Sequence, residues 1–575
     1  MPNDFFHSDM KLFLDHRIDW KRNFERTRGG DVKPEDEVDT YKSILGTIDE
    51  ICSAIAVEAR DHWHEEVKLV DGRVEVPAHI TSGYEKLRSA GLVCLPLSPE
   101  YNGFGLPMLV NTFYLEMLSR AESSLMTIIG LQGGVANDIE QYGSEEIKQL
   151  YLPRFAAGEL QGAMDLTEAQ AGSDLGGIVT RVSEENGRYF IDGEKLFITN
   201  GGADIHLVLA RDAKTFNESK GSTNGLNLML CPIVLPDGTR NGVRVTRTET
   251  KLGIHGSPTC VVEFEHAEGF LLGKAGAGFR AMLDLMNNAR LGVTAQAIGV
   301  ADAAFHEALE YTQQRVQFGK PIIEQPLVKS MLTQMSINLQ AARALLYRTC
   351  ALVDESAALR TYLASERSAK DPDRGALQAE LERNAQLVRF FTPLCKYYGT
   401  EISNDVTRKG IQLHGGLGYM AESRAGHYHS DSIITTIYEG TSEIQASFAL
   451  KEIAKGALFP ALEHIRDEIE ALRGQHPDLV GELCEAIDNW VQQSLPALAG
   501  DPQYALLNAK RVCEMIIDVI CSAELLLQGQ YSESKHEAAQ SFIHRRMPAV
   551  EMNARRIRGG DASRLKRYDR ILGLS

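Results

Sequence analysis

The sequence has few of the features that mark specialised classes of protein. Its nine cysteines are scattered over 575 residues without a CxxC pair, which excludes a disulfide framework and a cysteine-rich zinc site. No run approaches the ~18 apolar residues of a membrane-spanning helix, and the strongest run, LNLMLCPIVL, contains Pro232. The first twenty residues carry acids and bases throughout, so they do not resemble a signal peptide. We therefore expect a soluble, cytoplasmic protein with reduced thiols.

Positive charge is also scarce. Lys and Arg number 60 against 78 Asp and Glu, and the net charge of −18 argues against a general binder of nucleic acid or anionic membranes. A local anion site stays possible, because a few Arg side chains and backbone N–H groups are enough to form one. Residues 541–575 are the exception, with nine basic against three acidic side chains. Two interpretations are open: a helix that pairs with acidic surface of the same protein, or a segment that contacts a membrane surface or a nucleotide.

Hydrophobic periodicity divides the chain into blocks. Apolar residues recur at three- and four-residue spacings before Gly162 and again from Gly278 onward, which predicts helices. Between them, short runs rich in β-branched and aromatic residues alternate with turn sequences, which predicts strands; the polar stretch DAKTFNESKGSTNG (212–225) is expected to be an exposed loop. The length allows about four domains of ~150 residues. We predict an α+β protein with domains at 1–161, 162–277, 278–455 and 456–575.

Two segments are richer in Gly, Ser, Thr and Asn than packing requires. DLTEAQAGSDLGG (165–177) can present hydroxyls and backbone N–H groups to an anionic ligand, although a Gly-rich connection with a capping serine explains it equally well. KLFITNGG (195–202) is an apolar strand that ends in a polar turn. Taken alone, it is more simply a plain hairpin.

Two further segments carry candidate chemistry. QQRVQFGKPI (313–322) ends a long helix with Arg315, whose guanidinium suits phosphate, and with the flat ring of Phe318; a solvated helix end is the alternative. Segment 410–445 contains HGGLGY, where glycines permit close approach of backbone to a ligand, but it does not fit a dinucleotide-binding GxGxxG. Its apolar IITTIY leads directly to Glu439. A carboxylate with apolar neighbours suits a general base. The alternative is that Glu439 is an ordinary acid near a helix N-terminus.

In this order and spacing, LTEAQAGSD, FITNGG, RVQFGK, QLHGGLGY and IYEGTSEIQ resemble the acyl-CoA dehydrogenase family over roughly residues 40–455. The order helix, β, helix is also the family's domain order. GIHGSPTC and the helical extension resemble the long members, which act on 3-methylmercaptopropionyl-CoA or on a broad range of fatty acyl-CoAs. The resemblance implies an N-terminal helical domain, a central β-barrel-like domain, a C-terminal four-helix bundle and a helical C-terminal extension.

The resemblance also implies an activity. An enzyme of this family uses FAD to convert an acyl-CoA thioester to a trans-2-enoyl-CoA and passes the electrons to an electron-transfer flavoprotein. Glu439 would remove the α-proton while the β-hydride passes to flavin N5, and its backbone N–H would help a ribityl hydroxyl to stabilise the enolate oxygen. Some members place the base on a long helix, just before an Arg; here Ala289 stands there, before Arg290, which favours Glu439.

Binding residues follow from the same resemblance, position by position, and no metal is implied. Contacts to FAD are expected from Leu166, Thr167, Ser173, Phe197, Thr199, Arg315, Phe318, Gln412, Gly415, Gly416, Thr441 and Glu443. Five of these residues would contact the FAD of a neighbouring subunit: Arg315, Phe318, Gln412, Gly415 and Gly416. Contacts to acyl-CoA are expected from Ser173, Asn287, Arg290 and Gly440.

The chain departs from the family pattern in places. Ala169 and Gln170 replace a commoner Pro-Gly, Phe197 stands where Trp is common, and His255 stands where many members have Arg. His429-Ser430-Asp431 replaces a more usual Arg-Asp pair, which leaves the partner of Asp431 open. None of these changes removes the base.

The oligomer and two other functions complete the sequence-based expectations. In long members the extension covers the surface that short members use to form tetramers, so a homodimer is favoured; neither nucleic acid nor stable membrane insertion is expected. An acyl-CoA oxidase, which passes the electrons to oxygen, is an alternative, because it uses the same catalytic and FAD-binding residues. A DNA-associated stress flavoprotein of the same family is a remote alternative, against which the charge of −18 and the intact IYEGT argue.

Overall fold

In the computed structural model, which describes residues 4–29 and 32–574, the N-terminal block is helical as its periodicity predicts. A small hairpin of β1 (Lys68–Val70) and β2 (Arg73–Glu75) interrupts the helices. The helices are α1 (Ser8–His16), α2 (Trp20–Arg28), α3 (Pro34–Ala59), α4 (Ala78–Ser89), α5 (Met108–Ala121), α6 (Ser123–Tyr142) and α7 (Glu145–Ala156).

The central block is a β structure whose sheet closes on itself. Strands β4, β5, β9, β7 and β6 pair in that order, and β6 then pairs with β4 again, while β3 and β8 attach to β6 and β9. This closed ring confirms the barrel-like prediction. The elements are β3 (Gly162–Asp165), β4 (Arg181–Glu185), β5 (Arg188–Thr199), β6 (Ile205–Asp212), α8 (Phe216–Ser219), β7 (Leu226–Pro232), β8 (Val243–Thr248) and β9 (Thr259–Leu272).

Two strands of the barrel are apolar on both faces. In β6, Leu207 and Leu209 join a core that includes residues of α6 and α7, while Val208 and Ala210 point into the barrel. Successive strand residues face opposite sides, so a strand covered by helices on one side reads as a continuous apolar run. The same alternation in β7 explains why LNLMLCPIVL is the most apolar stretch of the chain.

The third block returns to long helices. After α9 (Gly278–Gln314), a tight hairpin of β10 (Val316–Gln317) and β11 (Lys320–Pro321) leads to the next helix. The remaining helices of this block are α10 (Pro326–Ala364), α11 (Arg374–His414), α12 (Arg424–Thr435) and α13 (Ser442–Ala454).

The extension is helical as well. Its central helix, α17, packs against α10, α13, α14 and α18 and is buried on most sides. The helices are α14 (Leu458–Glu470), α15 (Pro477–Glu485) continued by a π-helical turn (Ala486–Gln492), α16 (Pro502–Leu507), α17 (Ala509–Gln528), α18 (Glu533–Arg558), α19 (Ser563–Lys566) and α20 (Tyr568–Leu572). The α+β fold with helical, β and helical domains and a helical extension is therefore confirmed.

The chain forms two compact units that do not follow chain order. The first unit comprises residues 1–6, 42–304 and 414–435, and the second comprises 7–41, 305–413 and 436–575. Helices α1 and α2 thus belong with the extension, although they precede the rest of the N-terminal block. The four domain boundaries stated above stay a prediction.

Buried ion pairs hold α1 and its following turn to the extension within the second unit. Glu524 of α17 is fully buried and accepts hydrogen bonds from Arg17 at 2.8 and 2.9 Å and from Arg348 of α10 at 2.9 Å. Burial opposes ionisation of Glu524, but the two guanidinium groups keep its pKa below the ordinary value. Lys535 of α18 lies 2.7 Å from Asp9 of α1. Removing Glu524 would leave Arg17 and Arg348 with Glu468 as their acidic partner, and removing Asp9 would take the nearest carboxylate from the buried Lys535.

Two expectations about the whole chain can be compared with the described residues. All nine cysteines are buried free thiols, as expected. Over residues 4–29 and 32–574, no helix has the length and apolar character needed to cross a membrane.

Candidate active site

The predicted flavin-contacting loop begins where β3 ends. Thr167 is half-buried, Leu166 is buried and Ser173 is exposed, so the loop offers hydroxyls on an accessible surface. The backbone N–H of Leu196 in β5 donates to the carbonyl of Thr167 at 2.8 Å. The loop and the end of β5, where Phe197 lies, are therefore neighbours in the first unit.

A buried lysine fixes this loop. The Lys195 ammonium donates to the Leu166 carbonyl at 2.9 Å, to the Leu209 carbonyl at 2.8 Å and to the Glu168 carboxylate at 2.8 Å. The Glu168 carboxylate also accepts from the backbone N–H of Val179 at 2.7 Å. Burial opposes ionisation of Glu168, but the ammonium and these hydrogen bonds lower its pKa. Lys195 and Glu168 thus tie both ends of the loop to β5.

A second buried cation organises the far side of the same loop. Arg211, at the end of β6, donates to the carbonyls of Gly176 and Ile178 at 2.9 and 3.0 Å. It also donates to the carbonyls of Ser219 and Asn224 at 2.7 and 3.0 Å. The prediction of a simple exposed loop at 212–225 is therefore wrong in part, because this segment folds around a buried guanidinium and contains α8.

Sequence reasoning missed Lys195, Glu168 and Arg211. A signal was present in β5, where alternation places Lys195 on the same face as Ile191 and Gly193, toward the inside of the barrel. A lysine at an inward position needs a buried partner, and that requirement could have identified it. No comparable signal marks Arg211, which follows an apolar strand and looks like an ordinary strand end.

Phe197 is presented by an irregularity in β5. The register between β5 and β9 shifts between Lys195 and Ile198, and Phe197 has a φ of 58° there. Its ring is 62% exposed. Thr199 lies two residues further and pairs with Thr259. An exposed flat ring thus stands beside a loop that carries hydroxyls.

In the second unit, Arg315 and Phe318 lie on the β10–β11 hairpin. Arg315 is exposed, and Phe318 is 92% exposed with a φ of 54° at the turn. Gln412, near the end of α11, is also exposed. Gly415 and Gly416, in the 3-10 turn of the first unit that follows α11, are exposed too. All five residues are therefore accessible to a ligand or to another subunit.

The predicted acyl-CoA contacts on α9 lie side by side. Arg290 is buried and donates to the Asn287 side chain at 2.9 Å. Position 289, where some family members have the catalytic acid, is an alanine whose side chain packs against the core shared with α6 and α7.

Glu439 lies in the turn between α12 and α13. Its φ is 55°, and its carbonyl accepts from the Gln445 side chain at 2.7 Å. The next carbonyl, of Gly440, accepts from the buried Lys396 ammonium at 2.6 Å. Gly440 has a φ of +95°, which favours glycine, and a Cβ there would lie 2.8 Å from the amide nitrogen of Gln445. The turn that carries the predicted base is thus held at two consecutive carbonyls.

The two other residues of this motif form ordinary helix-end contacts. Thr441 is the N-cap of α13 and accepts from the backbone N–H of Ile444 at 3.4 Å. Glu443 is largely exposed and pairs with Lys510 of the extension at 3.0 Å, which lowers its pKa. These contacts leave their predicted role toward FAD untested.

Asp431 has partners other than the arginine usual in the family. It accepts from the backbone N–H of Ile254 at 2.5 Å and lies 3.2 Å from the His427 ring. Burial raises the pKa of Asp431 to about 7 and lowers that of His427 to about 4, so burial favours the uncharged form of both. His255, at the position of the family's second Arg, instead pairs with Glu66 at 2.6 Å.

The residues present fit the flavin that the resemblance implies. The loop at 166–177 offers hydroxyls and backbone groups on an ordered backbone, and Phe197 adds an exposed apolar ring beside it, the combination that a flat ring with polar edges requires. Over the described ranges, no three side chains of His, Cys, Asp or Glu are placed to hold a metal ion.

Comparison with known proteins agrees with this chemistry. Three sequence models match consecutive parts of the chain: the acyl-CoA dehydrogenase N-terminal domain at 49–159, the middle domain at 163–267 and the C-terminal domain at 276–454. The curated 3-methylmercaptopropionyl-CoA dehydrogenase of Ruegeria pomeroyi is 30% identical over 460 residues, which is 76% of this chain and 74% of that protein.

Solved structures give the same result. Butyryl-CoA dehydrogenase from Megasphaera elsdenii is 27% identical and matches with a TM-score of 0.60 over 72% of this chain and 98% of its own. An acyl-CoA dehydrogenase from Bacillus anthracis, solved with FAD, is 23% identical and shares the fold, with a TM-score of 0.73 over 93% of this chain and 90% of that one. The chain therefore belongs to the acyl-CoA dehydrogenase family of FAD-dependent oxidoreductases that act on acyl-CoA.

Proposed function

We propose that this protein catalyses the α,β-dehydrogenation of an acyl-CoA thioester to a trans-2-enoyl-CoA, with Glu439 as the general base. The observation that supports this most directly is the turn that carries Glu439. Its backbone is fixed through Gln445 and Lys396 in a conformation that a free chain would rarely adopt. A base held in this way keeps its position from one catalytic cycle to the next.

The residues of this chain have separate tasks in the proposed reaction. The Glu439 carboxylate takes the α-proton, and its backbone N–H donates to the thioester oxygen as negative charge develops there. Arg290 and Asn287 bind the CoA portion. The chemistry that FAD supplies when bound is acceptance of the β-hydrogen as hydride at N5. Leu166, Thr167, Ser173, Phe197 and Thr199 hold that cofactor in the first unit.

The remaining proposed contacts lie on exposed residues. We assign Arg315, Phe318, Gln412, Gly415 and Gly416 to the FAD of a neighbouring subunit, since each is accessible on the surface. Thr441 and Glu443 complete the dinucleotide site. Gly440 and Ser173 add backbone and hydroxyl contacts to the acyl-CoA.

The proposed electron acceptor is an electron-transfer flavoprotein, and the proposed compartment is the cytoplasm. Family membership supports the acceptor, and nine buried free thiols are typical of proteins from a reducing compartment. An oxidase would instead reduce oxygen with the same residues. Rapid peroxide formation after reduction, with no other acceptor present, would assign the protein to that class.

Replacement of Glu439 tests the base. We expect Glu439→Gln to bind FAD as the wild type does, because its backbone contacts survive, yet to lose flavin reduction by about 10³-fold because no group accepts the α-proton. The measurement is anaerobic bleaching of the flavin absorbance by short, long, branched, aromatic and thioether acyl-CoAs. This panel also identifies the acyl group.

An exposed acid of the extension provides the control. Glu537→Gln removes one carboxylate from the surface and should bleach at the wild-type rate. Full bleaching by Glu439→Gln would remove Glu439 from the mechanism, whereas absence of bleaching in the wild type with every acyl-CoA would remove the proposed reaction itself.

A further inference from the structure

The segment that follows α18, from Gly559 to Leu574, has no buried residue. It forms two short helices, α19 and α20, and only Ala562 and Ser563 are even partly covered. Short helices of this kind gain little stability from their own hydrogen bonds. Their side chains are therefore available to something outside the protein.

This exposed segment is unusually apolar for a protein surface. Within ten residues, five bulky side chains are exposed: Leu565 (39%), Tyr568 (52%), Ile571 (68%), Leu572 (64%) and Leu574 (69%). Single exposed apolar residues are common on soluble proteins, but a cluster of this size marks a surface that binds something. Leu565 lies in α19, whereas Tyr568, Ile571 and Leu572 lie in α20.

Basic side chains alternate with these apolar ones. Arg564, Lys566, Arg567 and Arg570 are exposed, against the two acids Asp561 and Asp569. The segment thus combines exposed apolar and exposed basic side chains, on a chain whose net charge is −18.

The rest of the basic region has a different role. Arg546 in α18 lies 2.7 Å from the buried Asp518, Arg545 donates to Asn338 at 2.5 Å, and Arg558 packs over the ring of Trp490. For these residues, pairing with surfaces of the same protein is the correct interpretation. It does not extend past Gly559, where the side chains are exposed.

We propose that Gly559–Leu574 is an interfacial anchor that binds this enzyme reversibly to membranes rich in anionic lipid. Aliphatic and tyrosine side chains insert at the boundary between headgroups and acyl chains, and guanidinium and ammonium groups bind the lipid phosphates. Each basic side chain near such a surface adds electrostatic attraction, which salt screens. A nucleic acid would use the positive charge but not the exposed aliphatic side chains.

Binding to vesicles tests the proposal. The full-length holoprotein is sedimented with vesicles of pure phosphatidylcholine or of phosphatidylcholine with 30% phosphatidylglycerol, at low and at high salt. We expect at least tenfold stronger partitioning to the anionic vesicles at low salt, and loss of that difference at high salt. Equal partitioning to both kinds of vesicle would overturn the proposal.

Two variants separate the contributions of charge and apolar contact. Arg564→Glu/Arg567→Glu/Arg570→Glu and Ile571→Ser/Leu572→Ser should each reduce partitioning at least tenfold, with thermal stability unchanged because no buried contact is lost. The matched charge control is Lys21→Glu/Lys214→Glu/Arg244→Glu, which changes the net charge equally on exposed sites elsewhere. The apolar control is Val57→Ser, on a residue that is 71% exposed.

The controls also decide against other occupants. If the charge control loses as much partitioning as the segment variant, overall charge rather than this segment binds the vesicles, and the proposal is wrong. The proposal is also wrong if two results occur together: neither the wild type nor a variant that ends at Gly559 binds vesicles, and the variant has half the particle mass of the wild type. That result would assign the segment to a contact between copies of the chain.

Discussion

Three residues on which the proposed chemistry depends have a left-handed backbone. Phe197, Phe318 and Glu439 have φ values of 58°, 54° and 55°. For residues other than glycine this conformation costs about 1–2 kcal/mol, so it persists only where the surroundings determine it. A shift of strand register fixes Phe197, a tight hairpin turn fixes Phe318, and two hydrogen-bonded carbonyls fix Glu439. The strain lies where side chains must be presented to a ligand.

Replacement of Lys195 should destabilise the protein and loosen the loop at 166–177. Lys195→Met leaves the Glu168 carboxylate buried without its ammonium partner, and removing one member of a buried ion pair costs about 3–5 kcal/mol. Urea unfolding measures this cost. We also expect faster hydrogen exchange of the amides at 166–171 and weaker binding of FAD by the apoprotein.

A double variant separates the ion pair from the loss of packing. Lys195→Met/Glu168→Gln should be less destabilised than the sum of its single variants, because no unpaired charge is left in the barrel wall. The control is Arg188→Met, on the same strand as Lys195. It removes a cation that pairs at the surface with Glu268 of β9, and it should have little effect on stability. An additive double variant would show that Lys195 and Glu168 do not act as a pair.

At the scale of elements, periodicity predicted the order and type of the main blocks because burial imposes it directly. The first seven residues of the apolar run LNLMLCPIVL form β7, and their continuous hydrophobicity results from two cores, one on each face. The loop at 212–225 was predicted less well. Its polar sequence has no hydrophobic period. The loop is ordered by the buried guanidinium of Arg211, the residue that directly precedes it, which donates to the carbonyls of Ser219 and Asn224.

Attachment of α1 to the extension should depend on Asp9. Burial opposes ionisation of this carboxyl, but Lys535, together with His7 and Arg343, lowers its pKa to about 2 from 3.8. A shift of that size corresponds to about 2 kcal/mol of folding free energy at neutral pH. We therefore expect Asp9→Asn to lower the free energy of unfolding by about 2 kcal/mol at pH 6, as measured with urea.

The sign of the pH dependence follows from the lowered pKa. The contribution of Asp9 is fully present above the unfolded-state pKa and is lost as the pH falls toward its folded-state pKa, so the effect of Asp9→Asn should be about half as large at pH 3. Asp15→Asn, on the exposed side of the same helix, is the control. An effect of Asp9→Asn that did not change with pH would exclude the ion pair as its cause.

For the whole molecule, we expect a homodimer. The chain has a mass of 63.5 kDa, so light scattering of the holoprotein should give about twice that value. The physical reason is the extension, whose α17 is packed against α10 and α13 and covers apolar surface that a shorter chain would leave exposed. A particle of four chains at micromolar concentration would contradict this prediction.

Part of the site could be found from the sequence because family motifs are local in the chain. LTEAQAGSD, FITNGG and IYEGTSEIQ each carry their functional residues within a few positions, so recognition of the segment is recognition of the residues. Other contacts around the site are not local. Asp431 accepts from the backbone N–H of Ile254, 177 positions away, and Lys195 meets Glu168 from 27 positions away. His427, the second partner of Asp431, lies four positions away on the same helix.

The sequence by itself determined the block order, the chemistry-bearing motifs and the family, because hydrophobic period and short motifs are written along the chain. Only the tertiary structure decided that residues 7–41 join the extension, that buried Lys195 and Arg211 order the loop at 166–177, and that the basic region is half internal and half exposed. The physical reason is that a buried charge requires a partner, and that partner can come from any part of the chain.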